Sequence, residues 1–208
     1  MDQSISVTSL FVDIGGVLLT DGWNHAFRKL AAQKFNLDLE ELEDRHHKVF
    51  ETFELDKLTM KEYLNLVIFY EQRSFSAIQF QEFMFARSES FPKMIGLIRQ
   101  LKAKYGLKVV VVSNEARELN AHRIQKFRLD EFVDAFVSSC FVGLRKPDAD
   151  IFRLALDIAQ IPTEQIVYIE NTSMFVEIAE SMGIRSVWHT DYKSTCEKLA
   201  LFGLEVEK

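Results

Sequence analysis

A chain of 208 residues of which 48% are hydrophobic can bury a sizeable core, so the composition excludes an intrinsically disordered protein. The net charge is −6 and no dense basic cluster occurs, which argues against a nucleic-acid partner but leaves a small anionic ligand open. The two cysteines, Cys140 and Cys196, are too few for a disulfide framework, and we expect reduced thiols in a cytoplasmic protein.

The N-terminal segment MDQSISVTSL contains neither a basic stretch nor a long apolar one, so no signal peptide is expected. The longest apolar runs, such as LVIFY and VVVV, are far shorter than a membrane span. We therefore expect no membrane partner. Nothing in the sequence indicates an oligomeric state.

Five short apolar segments predict buried parallel strands, because they are rich in Val and Ile and do not alternate with polar residues. They are residues 10–14, 108–113, 135–139, 166–170 and 185–189. Helical patterns separate the later strands over residues 92–106, 147–160 and 173–183, and the first of these begins with Pro92 and ends with Gly106. Alternating strands and helices predict an α/β protein with a doubly wound parallel sheet.

Residues 22 to about 90 break this alternation, because no strand-like segment occurs there. Residues 39–53 place apolar side chains on one helical stripe together with His46, which we interpret as a core or interface histidine. Residues 59–62 (TMKE) form a capping-box pattern that opens a second helix, and residues 75–86 predict a third. We therefore predict an all-helical cap inserted between the first two strands.

This pattern divides the chain into two parts. We predict an α/β core formed by residues 1–21 and 90–208, with the cap over residues 22–89. The cap is rich in aromatic residues, most of which we interpret as the core of a small helical bundle. Trp23, at the entrance to the cap, has two interpretations, a substrate contact or hinge packing.

Polar residues stand at the carboxyl ends of three predicted strands, where ligands bind in open α/β sheets. They are Asp13, the pair Ser113 and Asn114, and the pair Glu170 and Asn171. A fourth segment, GLRKPDADIF, follows the third strand and places Lys146 before a helix that begins with proline. Each position alone also fits a turn, a helix cap or a surface charge. Their joint placement at one edge favours a shared binding site.

In this order, the segments FVDIGGVLL, VVSN, GLRKPDADIF and VYIEN resemble the four motifs of the haloacid dehalogenase superfamily. The resemblance covers nearly the whole chain, and RKPDADIF and SN resemble the branch of sugar-phosphate phosphatases. It implies a Rossmann-like core with a helical cap. It also implies Mg²⁺-dependent hydrolysis of a small phosphorylated metabolite, with sugar phosphates as one candidate class, through an aspartyl-phosphate intermediate.

Carried over to this sequence, the resemblance makes Asp13 the nucleophile and Lys146 the cation that neutralises it. Ser113, Asn114 and the backbone at Gly15 would hold the phosphoryl group. The Mg²⁺ ligands would be Asp13, the carbonyl at Gly15, Glu170 and Asn171. Arg117 and Arg145 are candidate substrate contacts, and surface charge is the alternative interpretation of both.

Two positions depart from the superfamily pattern. Most of its phosphatases carry a second aspartate two residues after the nucleophile, where this chain has Gly15, which cannot transfer a proton. General acid–base help is worth about 10²–10⁴-fold in rate, so another group must supply it or turnover slows. Asp21 is a candidate substitute, or simply a turn residue. The usual acidic pair of the metal site is Glu170–Asn171 here, with one charge fewer.

Three functions therefore stay open. The first is a working phosphatase whose acid comes from elsewhere. The second is a metal-independent carbon–halogen hydrolase, since dehalogenases of this superfamily also lack the second aspartate. The third is a degenerate member that binds a phosphorylated ligand or a protein partner. The acid at Glu170 argues against the second, and the retained Asp13, Ser113 and Lys146 argue against the third.

Overall fold

The computed structural model describes residues 6–206 and contains, within that range, one sheet of five parallel strands. The strands are β1 (Ser9–Val12), β2 (Lys108–Ser113), β3 (Ala135–Ser138), β4 (Ile166–Glu170) and β5 (Arg185–Trp188). Their order across the sheet is β3-β2-β1-β4-β5. All five segments predicted as strands lie in this sheet, with ends that differ from the predicted ones by two residues at most.

Ten α-helices surround the sheet in the described part of the chain. They are α1 (His25–Phe35), α2 (Leu39–Glu54), α3 (Met60–Val67), α4 (Ala77–Ala86), α5 (Pro92–Tyr105), α6 (Arg117–Phe127), α7 (Ser139–Val142), α8 (Asp150–Ala159), α9 (Ser173–Ser181) and α10 (Tyr192–Ala200). Helix α5 begins at Pro92 and is followed by Gly106 at φ 66°, as the sequence predicts. Within residues 6–206, no helix is both long and apolar enough to cross a membrane.

Both faces of the sheet are buried, because alternate residues of a strand enter different hydrophobic clusters. Along β1, Leu10 and Val12 pack in the cluster that contains Leu97 of α5. Phe11 packs in the other cluster, with Phe152 of α8. Strands that are apolar on both sides are what a parallel sheet covered by helices requires. The predicted doubly wound α/β architecture is confirmed.

Helices α1 to α4 lie between β1 and α5 in the chain and share a third hydrophobic cluster, which confirms the predicted helical insertion. Three of its fully buried or nearly buried side chains are Phe53, Tyr63 and Phe80. The predicted capping box is present, since the Thr59 side chain accepts from the backbone of Glu62, whose carboxylate accepts from the backbone of Thr59.

The two segments that connect the helical cap to the core lie next to each other. Thr20 N donates to Glu89 O at 2.9 Å, and Thr20 Oγ1 donates to Arg87 O at 3.1 Å. These contacts lie beside the predicted cap boundaries at residues 22 and 89, which stay a prediction. The cap is therefore tied to the core next to the loop that follows β1.

Candidate active site

The strand order brings the carboxyl ends of three strands together. β1 lies between β2 and β4, so Asp13, which directly follows β1, is flanked by Ser113 at the end of β2 and by Glu170 at the end of β4. All three side chains are buried, with exposures of 7%, 1% and 0%. This edge is where an open parallel sheet places its ligands.

Lys146 joins the two carboxylates at this edge. Its Nζ lies 3.1 Å from Asp13 Oδ2 and 2.6 Å from Glu170 Oε2, and only 1% of the residue is exposed. Burial lowers the pKa of this ammonium, but the charges of Asp13 and Glu170 more than offset the effect and raise it above the ordinary value. The lysine is therefore positively charged at neutral pH.

The surroundings of Asp13 bring the pKa of its carboxyl group close to neutral pH. Burial and the neighbouring charge of Glu170 raise the pKa of Asp13 to about 7, against the attraction of Lys146. One ammonium thus faces two carboxylates. An additional positive charge at this point would favour the ionised, nucleophilic form of Asp13.

Tyr168 completes this buried group and is not among the residues predicted from the sequence. Its hydroxyl accepts from Lys146 Nζ at 3.1 Å and donates to Glu170 Oε2. The other oxygen of Glu170 accepts from Thr172 N at 2.8 Å. Residues i and i+2 of a strand face the same side, so Tyr168 and Glu170 of β4 were recognisable as neighbours.

Asn114 positions Lys146 and does not point a free amide at the edge. Its Nδ2 donates to Lys146 O and its Oδ1 accepts from Lys146 N, both at 2.8 Å. Ser113, by contrast, has a buried hydroxyl that makes no well-formed hydrogen bond within residues 6–206, although it lies close enough to the Asp13 carboxylate to lower its pKa. A buried hydroxyl without a partner costs free energy, so Ser113 is the group here that is available to a ligand.

Asn171 lies against the loop that follows Asp13. In the amide orientation that satisfies its neighbours, its Nδ2 donates to Gly15 O at 3.0 Å and to Glu170 Oε1 at 2.9 Å. A Cβ on Gly16 would lie 2.6 Å from Asn171 Cγ, and Gly16 has a φ of 75°. Residue 16 must therefore be glycine for the two segments to approach this closely.

The oxygen atoms at this edge fit a magnesium ion. Within residues 6–206, no group of three His, Cys, Asp or Glu side chains could hold a metal by itself. Mg²⁺ is usually bound by one or two carboxylates together with neutral oxygens, water and substrate phosphate. Asp13 and Glu170 would supply the carboxylates and the Gly15 carbonyl a neutral oxygen. The Asn171 amide turns its nitrogen toward Gly15 O and Glu170 Oε1, so it would have to turn over to offer its oxygen.

Arg117 and Arg145 are not brought to the Asp13 group by any contact in the described residues. Arg117 Nε lies 2.6 Å from Asp56 Oδ2, beyond the end of α2. Arg145 lies 2.9 Å from Glu51 Oε1 and 2.8 Å from Glu54 Oε2, both on α2. Their guanidinium groups form ion pairs that join the core to the cap.

A cavity of about 260 Å³ lies between the cap and the core, next to this edge. Its walls come from α1, α2, α6 and the loops after β1 and β2, and they include Gly22, Trp23, Arg28, His46, Phe50 and Asn114. Asn114 thus contributes both to the cavity wall and to the position of Lys146. His46, predicted to lie on an apolar helical stripe, lies in this wall.

A chain of hydrogen bonds fixes the protonation of His46. Trp23 Nε1 donates to Tyr63 OH at 2.8 Å, so the hydroxyl gives its own proton to His46 Nδ1, also at 2.8 Å. Burial and the charge of Arg28 lower the pKa of His46 to about 3. The imidazole is therefore neutral, with its remaining proton on Nε2.

The family is decided by a sequence comparison. The model of the family described as haloacid dehalogenase-like hydrolase matches residues 7–183 of this chain. The chain belongs to this hydrolase family. Its four motifs, quoted above from the sequence, all fall within the matched residues.

Individual relatives are distant. The chain is 30% identical over 82 residues to a protein of Caldanaerobacter subterraneus subsp. tengcongensis assigned as pyrophosphatase PpaX, a match to 39% of this chain and 37% of that protein. Another curated relative is matched over 9% of its length. The chain thus spans well under half the length of these curated relatives.

Solved structures of this hydrolase family share the fold. A family enzyme of Bacteroides thetaiotaomicron, in complex with magnesium and inorganic phosphate, superposes with a TM-score of 0.73 at 18% identity, covering 88% of this chain and 93% of that chain. An L-2-haloacid dehalogenase superposes with a TM-score of 0.65 at 17% identity, covering 89% of this chain and 87% of that chain. At such identities the similarity establishes the fold alone.

Proposed function

We propose that this chain is a Mg²⁺-dependent phosphomonoester hydrolase that attacks its substrate with Asp13. The observation that carries the proposal is the buried Asp13–Lys146–Glu170 group, in which the nucleophile lies 3.1 Å from a charged lysine. An Asp13 oxygen would attack phosphorus while the bond to the leaving oxygen breaks, which gives an aspartyl phosphate. Water would then attack phosphorus and release phosphate from Asp13.

Charge is the central difficulty of this reaction, because a phosphate dianion must approach a carboxylate. Lys146 offsets part of the repulsion, and the free hydroxyl of Ser113 would donate to a phosphoryl oxygen. Asp13, the Gly15 carbonyl and Glu170 would hold Mg²⁺, joined by the Asn171 oxygen once that amide turns over, and the ion supplies the further positive charge that the site needs. The relative from Bacteroides with bound magnesium and phosphate supports this assignment.

The leaving group would occupy the cavity between the cap and the core. A volume of about 260 Å³ favours a small metabolite, and sugar phosphates are one class of that size. Its walls combine aromatic side chains with neutral donors such as His46 Nε2–H, a pattern that suits a leaving group with both apolar and hydroxyl-rich faces. We expect the reaction to take place in the cytoplasm.

Hydrolysis of an aryl phosphate by the purified protein tests this proposal. We expect turnover with Mg²⁺, its loss with a chelator, and a loss of at least about 10³-fold in Asp13→Asn, because an amide is not a nucleophile. Asp130→Asn, which removes an exposed carboxylate from the short helical turn before β3, is the matched control and keeps full activity. Activity that survives in Asp13→Asn would contradict the proposal.

A second candidate is metal-independent hydrolysis of a carbon–halogen bond. It is favoured by Gly15, because halide leaves without a proton, and by the fold shared with a haloacid dehalogenase. Against it stands Glu170, a buried acid that such a reaction does not need. Halide release from a 2-haloacid in the presence of chelator would support this candidate. If neither substrate turns over but phosphate binds, the third function, a binding protein, is supported.

A further inference from the structure

We propose that Asp21 is the general acid and general base of this site, an inference that rests on the proposed phosphatase function. An alkoxide leaving group needs a proton, and the water that attacks the aspartyl phosphate must lose one. The residue two positions after the nucleophile, Gly15, has no side chain to do either. The group that does so must lie against the loop after β1 and be open to a ligand.

The geometry of Gly15 points to Asp21. A Cβ built on Gly15 would lie 3.6 Å from Asp21 Oδ1 and 3.7 Å from Asp21 Cα. A Cβ built on Gly16 would lie 2.9 Å from the same Oδ1. The Asp21 carboxylate therefore lies in van der Waals contact with the position that a side chain at residue 15 would take, beside the loop that carries Asp13.

Three other carboxylates, at the edge and in the cavity wall, are occupied. Glu170 is fully buried, and both of its oxygens accept hydrogen bonds. Glu115, in the cavity wall, is bound by both oxygens to Arg123 at 2.6 and 2.9 Å, and Glu54 is bound by Arg145. Asp21 is exposed, so its carboxylate alone among these four is open to a substrate.

The backbone that leads into Asp21 is anchored. After β1 the backbone turns back on itself, since Gly16 N donates to Leu19 O at 2.7 Å. The next residue, Thr20, is fixed by Glu89 O and by the buried Arg123, whose Nη2 donates to Thr20 O at 2.5 Å. A carboxylate on an anchored loop needs little reorganisation before it transfers a proton.

Over one turnover, Asp21 gives one proton and takes one back. Asp13 attacks phosphorus, the bond between phosphorus and the leaving oxygen breaks, and the carboxylic acid of Asp21 gives its proton to that oxygen. The Asp21 carboxylate then takes a proton from the water that attacks phosphorus, the bond to Asp13 breaks, and phosphate leaves. Asp21 is again a carboxylic acid, and Asp13 is again a carboxylate.

The test is Asp21→Asn, measured with two leaving groups in the presence of Mg²⁺. An aryl oxygen leaves without a proton, so we expect kcat/KM for the aryl phosphate to stay close to wild type. Because the second step still lacks its base, kcat falls and a burst of one aryl alcohol per enzyme appears, with phosphate retained on Asp13 in the intact mass. For an alkyl phosphate we expect kcat/KM to fall by about 10²–10⁴-fold.

Moving the carboxyl group from Asp21 to residue 15 tests whether Asp21 acts by proton transfer or only by holding the local structure. Gly15 is not among the glycines with positive φ, so residue 15 accepts a side chain without backbone strain. The double variant Gly15→Asp with Asp21→Gly returns a carboxyl group to the same space, and we expect it to regain alkyl phosphate turnover that the single variant Asp21→Gly lacks. Asp130→Asn again serves as the control for a lost surface charge.

The outcomes are distinct. Equal losses for aryl and alkyl phosphates in Asp21→Asn, without a burst, would overturn the role of Asp21 and leave the phosphatase function standing. No Asp13-dependent hydrolysis of aryl phosphate by the wild-type protein would overturn both. A leaving-group-dependent loss that the relocated carboxylate reverses would establish Asp21 as the proton donor and acceptor.

Discussion

The carboxyl edge of the sheet carries an excess of buried negative charge, whereas the charged residues of the cavity wall beside it, Arg28, Glu54 and Glu115, are each paired with an opposite charge. At the edge, one ammonium faces the carboxylates of Asp13 and Glu170 within 3.1 Å. Trp23 and His46 of this wall form a chain of hydrogen bonds with the buried Tyr63 in which no member is charged. The two regions meet at Asn114.

This difference follows from what each region would contact. A phosphoryl group carries two negative charges, and only buried, preorganised charges interact with it strongly in a site that excludes water. The alcohol that leaves is uncharged, and neutral donors against aromatic walls can choose among alcohols without a large desolvation penalty. The edge would therefore determine the reaction, and the cavity would determine the substrate.

The largest expected effect comes from removing the charge that holds the edge together. In Lys146→Met, two carboxylates face each other in a buried site, and we expect unfolding free energy to fall by about 3–5 kcal/mol at pH 8. The loss should be smaller at pH 6, because a proton can then bind between the carboxylates in place of the ammonium. Urea unfolding at the two pH values measures both, and turnover should be lost.

Lys102→Met is the matched control for this variant. Lys102 pairs with Asp134, but both side chains are partly exposed, at 27% and 40%. Surface pairs of this kind are worth about 0–1 kcal/mol, so the variant should be nearly as stable as wild type. Equal losses in the two lysine variants would mean that burial of charge does not distinguish the edge from the surface.

A smaller effect is expected from Tyr63→Phe, in the buried cap core behind the cavity wall. The substitution removes the hydroxyl that accepts from Trp23 and donates to His46, and leaves two nitrogen atoms without a partner. We expect a loss of about 1–3 kcal/mol in unfolding free energy, measured by urea titration. Tyr70→Phe, at a more exposed tyrosine of the cap, should change stability little. A negligible loss in Tyr63→Phe would show that the chain does not stabilise the cap.

The edge was largely predictable from the sequence because its geometry follows from strand order. Five segments that are apolar on both faces predict parallel strands. The residues that follow Val12, Val112 and Ile169 must then lie at one edge of the sheet. Asp13 and Glu170 were found in this way. Tyr168 was missed because it lies within an apolar strand, and only its i+2 relation to Glu170 indicates that its side chain faces the site.

The contacts of the cap could not be predicted in this way. Helical periodicity assigns His46 to a face, but it does not say which residue of another helix will meet that face. The same limit applies to Arg145, which reaches across to Glu54 on α2, because ion pairs between distant segments depend on how the cap docks. Pairing between separate elements is a property of tertiary packing, which a local pattern does not contain.

The smallest expected effect is the pH dependence of the cavity, which would sharpen the contrast with the charged edge. His46 has a pKa of about 3 in the folded protein because it is buried and lies near Arg28, against about 6.5 when unfolded. As the pH falls below 6.5, the unfolded chain binds a proton that the folded chain does not, so stability falls with pH. Glu43, which binds Arg28, opposes this effect only in part.

We therefore expect wild-type protein to lose about 1 kcal/mol more than His46→Gln between pH 7 and pH 5.5, measured by urea unfolding. His47→Gln is the control, because His47 is exposed on the same helix and the variant should follow the wild-type slope. If both variants follow wild type, His46 is protonated as easily in the folded cap as in the unfolded chain. The cavity would then become positively charged at mildly acidic pH, and the contrast between a charged edge and a neutral cavity would hold only near pH 7.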